Sequence, residues 1–379
     1  MKIFVVSYSN PLSRDALAYA SVNMAGAFKE IGIDTSLILP VKVDGEEIKN
    51  YYQLNTLVKT KCIKILRPGI RFSSITYGIG VAGYFLFSRA KNVIVYTDHP
   101  WTAIFLSLSK KVKVIFNPDT YQPYRPYHKF LISASRKKNM LLFVCMSTPL
   151  LELFKKDGVS PEKLLMASLG VNEERYKNPL DMQTAREKLN LPLDIPIITL
   201  IGDLYEGRGA EILIECAVRM KNILFLLVGA TEKDLERLNK LKNEKSAQNV
   251  KIVKYVPPKD VPLFEWASDI LVMPYTTKTL THNIMSPLKM FEYLAARRPI
   301  VSSDFPPLRD VLIHKWNAWL VPPEDVTELC KALEIILSNK ILKENLSENA
   351  WNTALKFTWK NRAEKILSAI NIKRIFATE

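Results

Sequence analysis

The chain alternates short apolar runs with amphipathic stretches of helical length, and this rhythm constrains its fold more than any other feature. In the first half, the apolar runs that are typical of β-strands are 3–6, 36–39, 93–96, 112–116 and 141–145. Segments of helical length separate most of these runs. Alternation of this kind predicts a parallel sheet with helices on both faces.

The same rhythm restarts after a polar stretch, with predicted strands at 197–201, 223–228, 251–255, 269–273 and 299–302. A chain of 379 residues also exceeds the usual size of one hydrophobic core. We therefore predict an α/β protein of two Rossmann-like, doubly wound domains that face each other across a cleft. The predicted parts are a first domain at 1–172, a linker at 173–193, a second domain at 194–355, and a C-terminal helix at 356–379 that returns to the first domain.

Several catalytic and metal-binding patterns are absent from the sequence. It contains no dinucleotide fingerprint and no P-loop, and no glycine follows the first strand until Gly26. The patterns H-E-x-x-H and G-x-S-x-G are absent as well. The four cysteines are far apart and lack the close pairs of zinc or redox sites. We therefore expect no metal, no cofactor and reduced cysteines. Since no apolar leader precedes Lys2, we also expect a cytosolic protein.

Positive charge is concentrated in one segment. The net charge is +15, and residues 51–150 hold fifteen Lys or Arg against only Asp98 and Asp119, a balance of 15 − 2 = +13. A basic face suits a phosphate-rich partner, either an anionic membrane surface or nucleic acid, although a solvated basic surface is the alternative. Within this segment, the uncharged stretch Phe72 to Ser88 is flanked by Arg71, Arg89 and Lys91. Its 17 residues are short for a membrane span, so we expect a buried or interface-lying helix.

Two segments of the second half indicate an anion site. Residues 202–209 (GDLYEGRG) follow a strand and open a helix, where glycines let backbone amides approach a phosphate and Arg208 adds a bidentate donor. A tight turn with a surface arginine is the alternative. Further on, Pro287 opens a second helix, so that Lys289 faces the same anion as the free amides. Glu292 lies on the same helical face and suits two vicinal ribose hydroxyls, unless the two residues form a surface ion pair.

The second half also resembles a known family. The run from Ala267 to Pro274, the segment SPLKMFEY at 286–293 and the strand at 299–301 together resemble the donor-binding core of the GT4-type retaining glycosyltransferases, which have the GT-B fold. The resemblance extends over most of residues 140–365 and is much weaker before them. It implies transfer of a sugar from a nucleoside-diphosphate sugar, with retention of anomeric configuration and without a metal.

The resemblance also implies roles for individual residues. Arg208 and Lys289 would hold the diphosphate of a UDP- or GDP-sugar, and Glu292 would bind the ribose. The remaining donor-binding positions that the resemblance implies are Gly202, Gly209, Ser286, Pro287, Leu288 and Met290. Fixed cations and amide dipoles aimed at a departing diphosphate would accelerate its departure.

The chain departs from the family pattern at several positions. Ile284 replaces a second glutamate, and Asp203 stands where an arginine is usual. In the first domain, residues 10–14 (NPLSR) replace a glycine-rich loop, and Asp119 takes the place of a histidine, which makes it the catalytic candidate there. The acceptor-side candidates are Arg14, His99, Tyr121, Tyr124 and Arg125, the last three from a loop that interleaves aromatic residues and cations.

The leading hypothesis is a retaining glycosyltransferase, peripheral at the inner face of the cell membrane, that acts on a glycan or lipid-linked acceptor. A nucleic-acid partner is not expected for this function. Two alternatives remain open at this point. One is a sugar-nucleotide epimerase on the same scaffold, and the other is a non-catalytic protein that binds a nucleotide-sugar or nucleic acid.

Overall fold

The computed structural model describes residues 1–64, 72–88 and 92–370, and the chain divides into two compact units. Unit 1 comprises residues 1–169 together with the segment that begins at Thr358. Unit 2 comprises residues 170–357. Each unit contains a parallel sheet with helices, as the alternation in the sequence predicts, so the predicted pair of Rossmann-like α/β domains is confirmed.

Unit 1 has a seven-stranded sheet in the order β3-β2-β1-β4-β5-β6-β7. Every neighbouring pair in it is parallel. Its strands are β1 (Lys2–Val6), β2 (Asp34–Leu39), β3 (Lys59–Cys62), β4 (Val93–Thr97), β5 (Val112–Phe116), β6 (Met140–Cys145) and β7 (Leu164–Met166). Its helices are α1 (Ala16–Glu30), α2 (Gly45–Tyr52), α3 (Ser73–Phe87), α4 (Pro100–Leu106), α5 (Pro126–Ser135), α6 (Thr148–Lys156) and α14 (Trp359–Ile370).

The last helix, α14, is fixed to unit 1 by a buried arginine. Arg362 is only 4% exposed, and its guanidinium donates to the Asn117 side chain at 2.7 Å and to the Tyr96 hydroxyl at 2.8 Å. It also donates to the carbonyl oxygens of Ala167 and Ser168. Buried polar groups are costly unless they are paired, so this network selects one position for α14 against the sheet of unit 1.

Unit 2 has a six-stranded parallel sheet in the order β10-β9-β8-β11-β12-β13. Its strands are β8 (Ile197–Ile201), β9 (Leu224–Ala230), β10 (Val250–Lys254), β11 (Ile270–Met273), β12 (Ile300–Ser303) and β13 (Trp319–Val321). Its helices are α7 (Met182–Lys188), α8 (Ala210–Arg219), α9 (Glu232–Glu244), α10 (Val261–Trp266), α11 (Leu288–Ala295), α12 (Val326–Ser338) and α13 (Lys340–Ala354).

The polar stretch 173–193, predicted to be a linker, is folded as part of unit 2. It contains α7, whose Arg186 is buried and forms an ion pair with Asp269 at 2.6 Å. It also contains Tyr176, whose hydroxyl donates to Glu265 at 2.8 Å. Few apolar residues occur in this stretch because charged and hydroxyl groups make its contacts with the unit.

The uncharged stretch forms α3, whose 15 residues bury Tyr77, Val81 and Phe85. The cations predicted to flank it, Arg71, Arg89 and Lys91, lie outside the described residues. The opposite face of α3 is exposed and apolar, with Ile79 and Leu86 each 54% exposed. Of the helices in the described part of the chain, none combines the length and the apolar character that crossing a membrane requires.

Candidate functional site

The candidate site in unit 2 lies where the order of strands reverses. The sheet runs β8-β9-β10 in one direction and β11-β12-β13 in the other, so β8 and β11 are the central neighbours. In open α/β sheets, ligands bind outside the carboxyl ends of the strands at such a switch point. The loops that leave β8 and β11 here are residues 202–209 and residues 274–287. Both segments predicted to bind an anion lie in or directly after these loops.

Glycines bring the two loops into contact. Gly207 and Gly209 both have positive φ, and a Cβ atom on Gly209 would clash with the carbonyl oxygen of Pro274. The Gly207 carbonyl accepts hydrogen bonds from the Thr276 amide at 3.0 Å and from the Thr279 hydroxyl at 2.8 Å. A tight turn is therefore present, and it holds the loop after β8 against the loop after β11.

The helix that follows, α11, is tied to the end of β8. Pro287 is its N-cap residue, and the buried hydroxyl of Tyr293 accepts a hydrogen bond from the Ile201 amide at 2.8 Å. Lys289 lies one turn before Tyr293 on the same face of the helix. This bond places Lys289 beside Gly202, the first residue after β8. A Cβ atom on Gly202 would lie 2.5 Å from Lys289 Nζ and would push the end of the lysine side chain aside, and the φ of +123° at Gly202 also favours glycine.

Lys289 carries a buried ammonium group that makes no hydrogen bond to the described part of the chain. Burial, together with the charge of the nearby Arg208 guanidinium, lowers its pKa to about 7. Asp203 and Glu292 act in the opposite direction. A buried cation next to a second cation is costly unless an anion pairs with both. The position therefore suits an anionic ligand.

Arg208 reaches the same place from the loop after β8. Its guanidinium lies over the rings of Tyr205 and Tyr275, 4.6 Å and 5.3 Å from their centroids, and Lys289 Nζ lies 5.7 Å from the Tyr275 centroid. Its Nε is buried, as is the hydroxyl of Ser286, and neither makes a hydrogen bond within the described residues. Buried polar atoms are normally paired, so this set of potential hydrogen-bond donors around two cations indicates an anion site.

Glu292 lies one turn after Lys289, but its ion pair is with Arg175. The distance from Arg175 Nη1 to Glu292 Oε1 is 3.5 Å, and both side chains are largely buried. Beside them, burial and the charge of Glu292 raise the pKa of Glu265 to about 8, so Glu265 is mainly protonated at neutral pH. The structure therefore does not contain the alternative arrangement, a surface ion pair between Lys289 and Glu292.

Other predicted donor-binding residues differ in their surroundings. Met290 is buried in the core, and its amide donates a hydrogen bond to the Pro287 carbonyl at 3.1 Å. Neither its side chain nor its amide is therefore directed at a ligand. Leu288 begins α11 and is half-buried. Ile284, which replaces the family's second glutamate, is buried, whereas Asp203 is exposed.

Three residues of this neighbourhood were not predicted from the sequence, namely Tyr275, Arg175 and Glu265. Tyr275 directly follows Pro274 at the end of β11, a position that could have indicated a site residue. Arg175 and Glu265 are distant in sequence from Glu292 and carry no local pattern. Their roles depend on contacts that only the fold reveals.

Unit 1 places two carboxyl groups at its own switch point, between β1 and β4. Asp98 follows β4, and Asp119 lies just beyond β5. Burial and, second, the charge of Asp119 raise the pKa of Asp98 to about 8. Burial also raises the pKa of Asp119 to about 6. Asp98 was not predicted as a site residue, although it directly follows a buried apolar run.

His99 is occupied by contacts within unit 1. Its Nε2 is 2.7 Å from the Ser74 hydroxyl, its Nδ1 is 2.8 Å from the Thr102 hydroxyl, and its ring stacks on Tyr8. Burial lowers its pKa to about 3, so it is neutral at physiological pH. These contacts favour a structural role over the predicted acceptor-side role.

The other acceptor-side candidates are exposed or half-buried residues of unit 1. Arg14 is exposed in the loop before α1. Tyr121 packs edge-on against His128 and Phe154. Tyr124 is 76% exposed, and Arg125 lies 5.8 Å from the centroid of its ring. Within the described residues, no group of three or more His, Cys, Asp or Glu side chains could hold a metal ion.

The match to a known protein family lies in the second half of the chain. Residues 181–353 match the model of the family described as glycosyl transferases group 1. A D-inositol 3-phosphate glycosyltransferase of Jonesia denitrificans is 24% identical over 241 residues, which are 60% of this chain and 55% of that protein. An amylovoran biosynthesis glycosyltransferase, AmsK, of Erwinia amylovora is 22% identical over 46% of this chain and 42% of its own length. The chain thus spans about half the length of these curated relatives.

Solved structures match the whole fold. The structure of Anabaena Alr3699/HepE in complex with UDP and glucose has a TM-score of 0.79 at 13% identity, and the match covers 98% of this chain and 99% of that one. The resemblance predicted from residues 267–301 is thus supported by a family match, by relatives and by structures. Residues 181–353 are thus similar to the group 1 glycosyltransferases, and the two Rossmann-like domains have the GT-B fold of the solved structures that they match.

Proposed function

We propose that the protein is a retaining glycosyltransferase that transfers a sugar from a nucleoside-diphosphate sugar to a hydroxyl group of an acceptor. The observation that carries the proposal is the pair of half-buried cations, Arg208 and Lys289, at the switch point of unit 2, with Lys289 Nζ buried and making no hydrogen bond to any described residue. A diphosphate would pair with both cations and with the Ser286 hydroxyl. It would thereby relieve the repulsion between the two cations.

The reaction exchanges one bond at the anomeric carbon for another. The bond from that carbon to the diphosphate oxygen breaks, the acceptor oxygen bonds to the same face, and the acceptor hydroxyl loses its proton. Negative charge grows on the diphosphate as the bond breaks, so Lys289 and Arg208 would stabilise the transition state more than the ground state. Asp119, with its pKa of about 6, is ionised at neutral pH and is our candidate to accept the proton.

Glu292 is our candidate for the ribose of the donor. Its ion pair with Arg175 orients the side chain, and carboxylate oxygens can accept hydrogen bonds from vicinal hydroxyls. No metal or other cofactor is proposed, because the two cations would supply the charge that the diphosphate needs. UDP-glucose is the first donor to test, because Anabaena Alr3699/HepE has been crystallised with UDP and glucose.

The proposal is tested by incubating the protein with UDP-glucose or GDP-mannose and following the anomeric proton by NMR. We expect slow hydrolysis of one donor without an acceptor, in which the sugar is first released with its original anomeric configuration. Release with inverted configuration would contradict the retaining mechanism. A changed sugar still attached to the diphosphate would support the epimerase alternative, and binding without turnover would support a non-catalytic protein.

Binding of a diphosphate should depend on pH through Lys289. Its pKa is lowered to about 7, so the ammonium is charged below that pH and largely neutral above it. An anion prefers the charged form, so UDP affinity should be highest below about pH 7 and fall by up to about tenfold per pH unit above it. Calorimetry from about pH 6 to about pH 9 measures this. Lys289→Met, which is neutral throughout, should bind weakly with little pH dependence, and an unchanged slope in this variant would exclude Lys289 as the titrating group.

The proposed acceptor is a lipid-linked or membrane-proximal glycan, presented at the inner face of the cell membrane. The support comes from a surface of unit 1 formed by α3, α4 and α5. Its exposed apolar residues are Phe72, Ile79, Leu86, Phe87, Leu108, Tyr124 and Phe130. The helix α4 contacts both α3 and α5, and Lys111 donates to the Leu86 carbonyl at the end of α3. Apolar residues beside cations suit an interface with acidic lipid.

We expect unit 1 to carry the protein onto acidic vesicles. The exposed cations Arg136, Lys137 and Lys138 follow α5, and each near-surface cation contributes about 1 kcal/mol against acidic lipid. Co-sedimentation with phosphatidylcholine vesicles should therefore require added phosphatidylglycerol and should weaken as salt rises. Reversal of these three charges to glutamate should abolish most of it. The matched control reverses three exposed cations of unit 2, Lys233, Lys240 and Lys259. Equal loss in both triple variants would show that only net charge matters.

A further inference from the structure

Tyr275 lies in the middle of the candidate site, and no family motif in the sequence points to it. It follows β11 by two residues and is completely buried. Its backbone carbonyl accepts a hydrogen bond from the Ser303 hydroxyl at 2.7 Å, which fixes the main chain at the end of two neighbouring strands. The ring is therefore held rigidly at the switch point of the sheet, where Arg208 and Lys289 both lie against it.

The unusual feature of Tyr275 is its hydroxyl group. It is buried and its oxygen interacts with the Arg208 guanidinium, which can only donate, yet the proton of the hydroxyl has no acceptor among the residues that the structure describes. Tyrosine hydroxyls usually find a partner when they are buried, because an unpaired one costs about 1–3 kcal/mol. Burial raises its pKa to about 12, so the group keeps its proton and can donate it in a hydrogen bond.

The aromatic ring of Tyr275 also interacts with the two cations, Arg208 and Lys289. Its centroid lies 5.3 Å from the Arg208 guanidinium and 5.7 Å from Lys289 Nζ. At these distances the negative face of an aromatic ring attracts a cation, and the attraction increases when water is excluded. The ring therefore offsets part of the repulsion between Arg208 and Lys289 when no anion is bound.

We propose that Tyr275 is a third diphosphate-binding residue, whose hydroxyl donates a hydrogen bond to a phosphate oxygen while its ring holds Arg208 and Lys289 in position. This inference rests on the proposed function, because it assigns Tyr275 to the same diphosphate. It extends that function in one respect. Recognition of the leaving group depends on a neutral donor that is already in place, as well as on the two cations.

The test compares Tyr275→Phe with Tyr205→Phe. Both remove one hydroxyl and keep the ring, and both rings lie against Arg208, but Tyr205 is 46% exposed while Tyr275 is buried. We expect Tyr275→Phe to weaken UDP binding about tenfold, which corresponds to about 1.4 kcal/mol. The control Tyr205→Phe should change UDP binding by less than about twofold, because Tyr205 is half-exposed and water can replace its hydroxyl as a partner of Arg208.

A measurement without ligand separates this role from a structural one. Removing a buried hydroxyl whose proton has no acceptor should leave the melting temperature of the ligand-free protein unchanged or raise it. Weaker UDP binding together with an undiminished melting temperature would support the proposal. A lower melting temperature in Tyr275→Phe would indicate a structural hydrogen bond and would overturn it. Wild-type affinity in Tyr275→Phe would also overturn it, whereas no binding of UDP or GDP to the wild type would overturn the proposed function as well.

Discussion

Replacing Lys289 by alanine should lower kcat for sugar transfer by about 10²-fold or more. The ammonium is buried, fixed beside Gly202 and makes no hydrogen bond to the described residues, so it is available to the diphosphate at no cost of reorganisation. Loss of one preorganised charge that faces a developing anion typically costs about 10²- to 10³-fold in kcat. The effect should appear in kcat and kcat/KM together, because the charge of the leaving group develops in the transition state.

Steady-state kinetics with a saturating acceptor would measure this, and Lys278→Ala is the matched control. Lys278 lies in the loop after β11 but is exposed, with its ammonium ion-paired to Glu206 at the surface. Exposed ion pairs contribute little, so its removal should change kcat by less than about twofold. Transfer by Lys289→Ala at the wild-type rate would exclude Lys289 from the site of chemistry.

Replacing Arg208 by alanine should also lower kcat, by about 10²-fold. Its guanidinium can present two parallel hydrogen bonds to a phosphate, which a lysine cannot reproduce, so Arg208→Lys should recover only part of the activity. Removing Arg208 should also raise the pKa of Lys289, because the arginine is a nearby like charge that lowers it. The pH at which UDP affinity begins to fall should therefore move upward in Arg208→Ala.

The double variant tests whether the two cations act on one diphosphate. Residues that serve one group as a unit have non-additive effects, so Arg208→Ala combined with Lys289→Ala should lose less than the product of the single losses. Strict additivity over four or more orders of magnitude would indicate two independent sites. A full recovery by Arg208→Lys would show that only the charge matters and not the geometry.

The fold was largely predictable because its apolar strands are buried in the centre of each sheet. Runs such as 3–6 and 197–201 are continuous and apolar, as strands covered on both faces must be. Two strands of the first sheet that were missed, β3 and β7, lie at its edges. β3 has the sequence KTKC, since an edge strand tolerates charge, and β7 has only three residues.

The polar stretch at 173–193 shows where composition misleads. It holds few apolar residues and was predicted to be a linker, yet Arg186 is buried and pairs with Asp269, 83 residues away in sequence. Pairing of this kind satisfies a buried charge with a partner that no local pattern reveals. A polar segment can thus be an ordered part of a domain.

The two cations of the candidate site could be identified as candidates from the sequence, but the residues around them could not. Arg208 and Lys289 lie in local patterns, a glycine-rich turn and a helix start, which indicate an anion from the sequence alone. Tyr275 lies close to both cations, and Arg175 pairs with Glu292 although more than a hundred residues separate them in sequence. Such contacts arise only when the loops after β8 and β11 come together at the switch point.

The most direct test of the site is a calorimetric titration of UDP, and separately of GDP, into the wild-type protein and into the double variant Arg208→Ala, Lys289→Ala. We expect one nucleotide to bind the wild type with a stoichiometry of about one per chain, and its affinity to fall at least about 100-fold in the double variant, which corresponds to about 3 kcal/mol. Circular dichroism would show that the variant remains folded. Binding of equal strength to both proteins, or to neither, would contradict a diphosphate site built on Arg208 and Lys289.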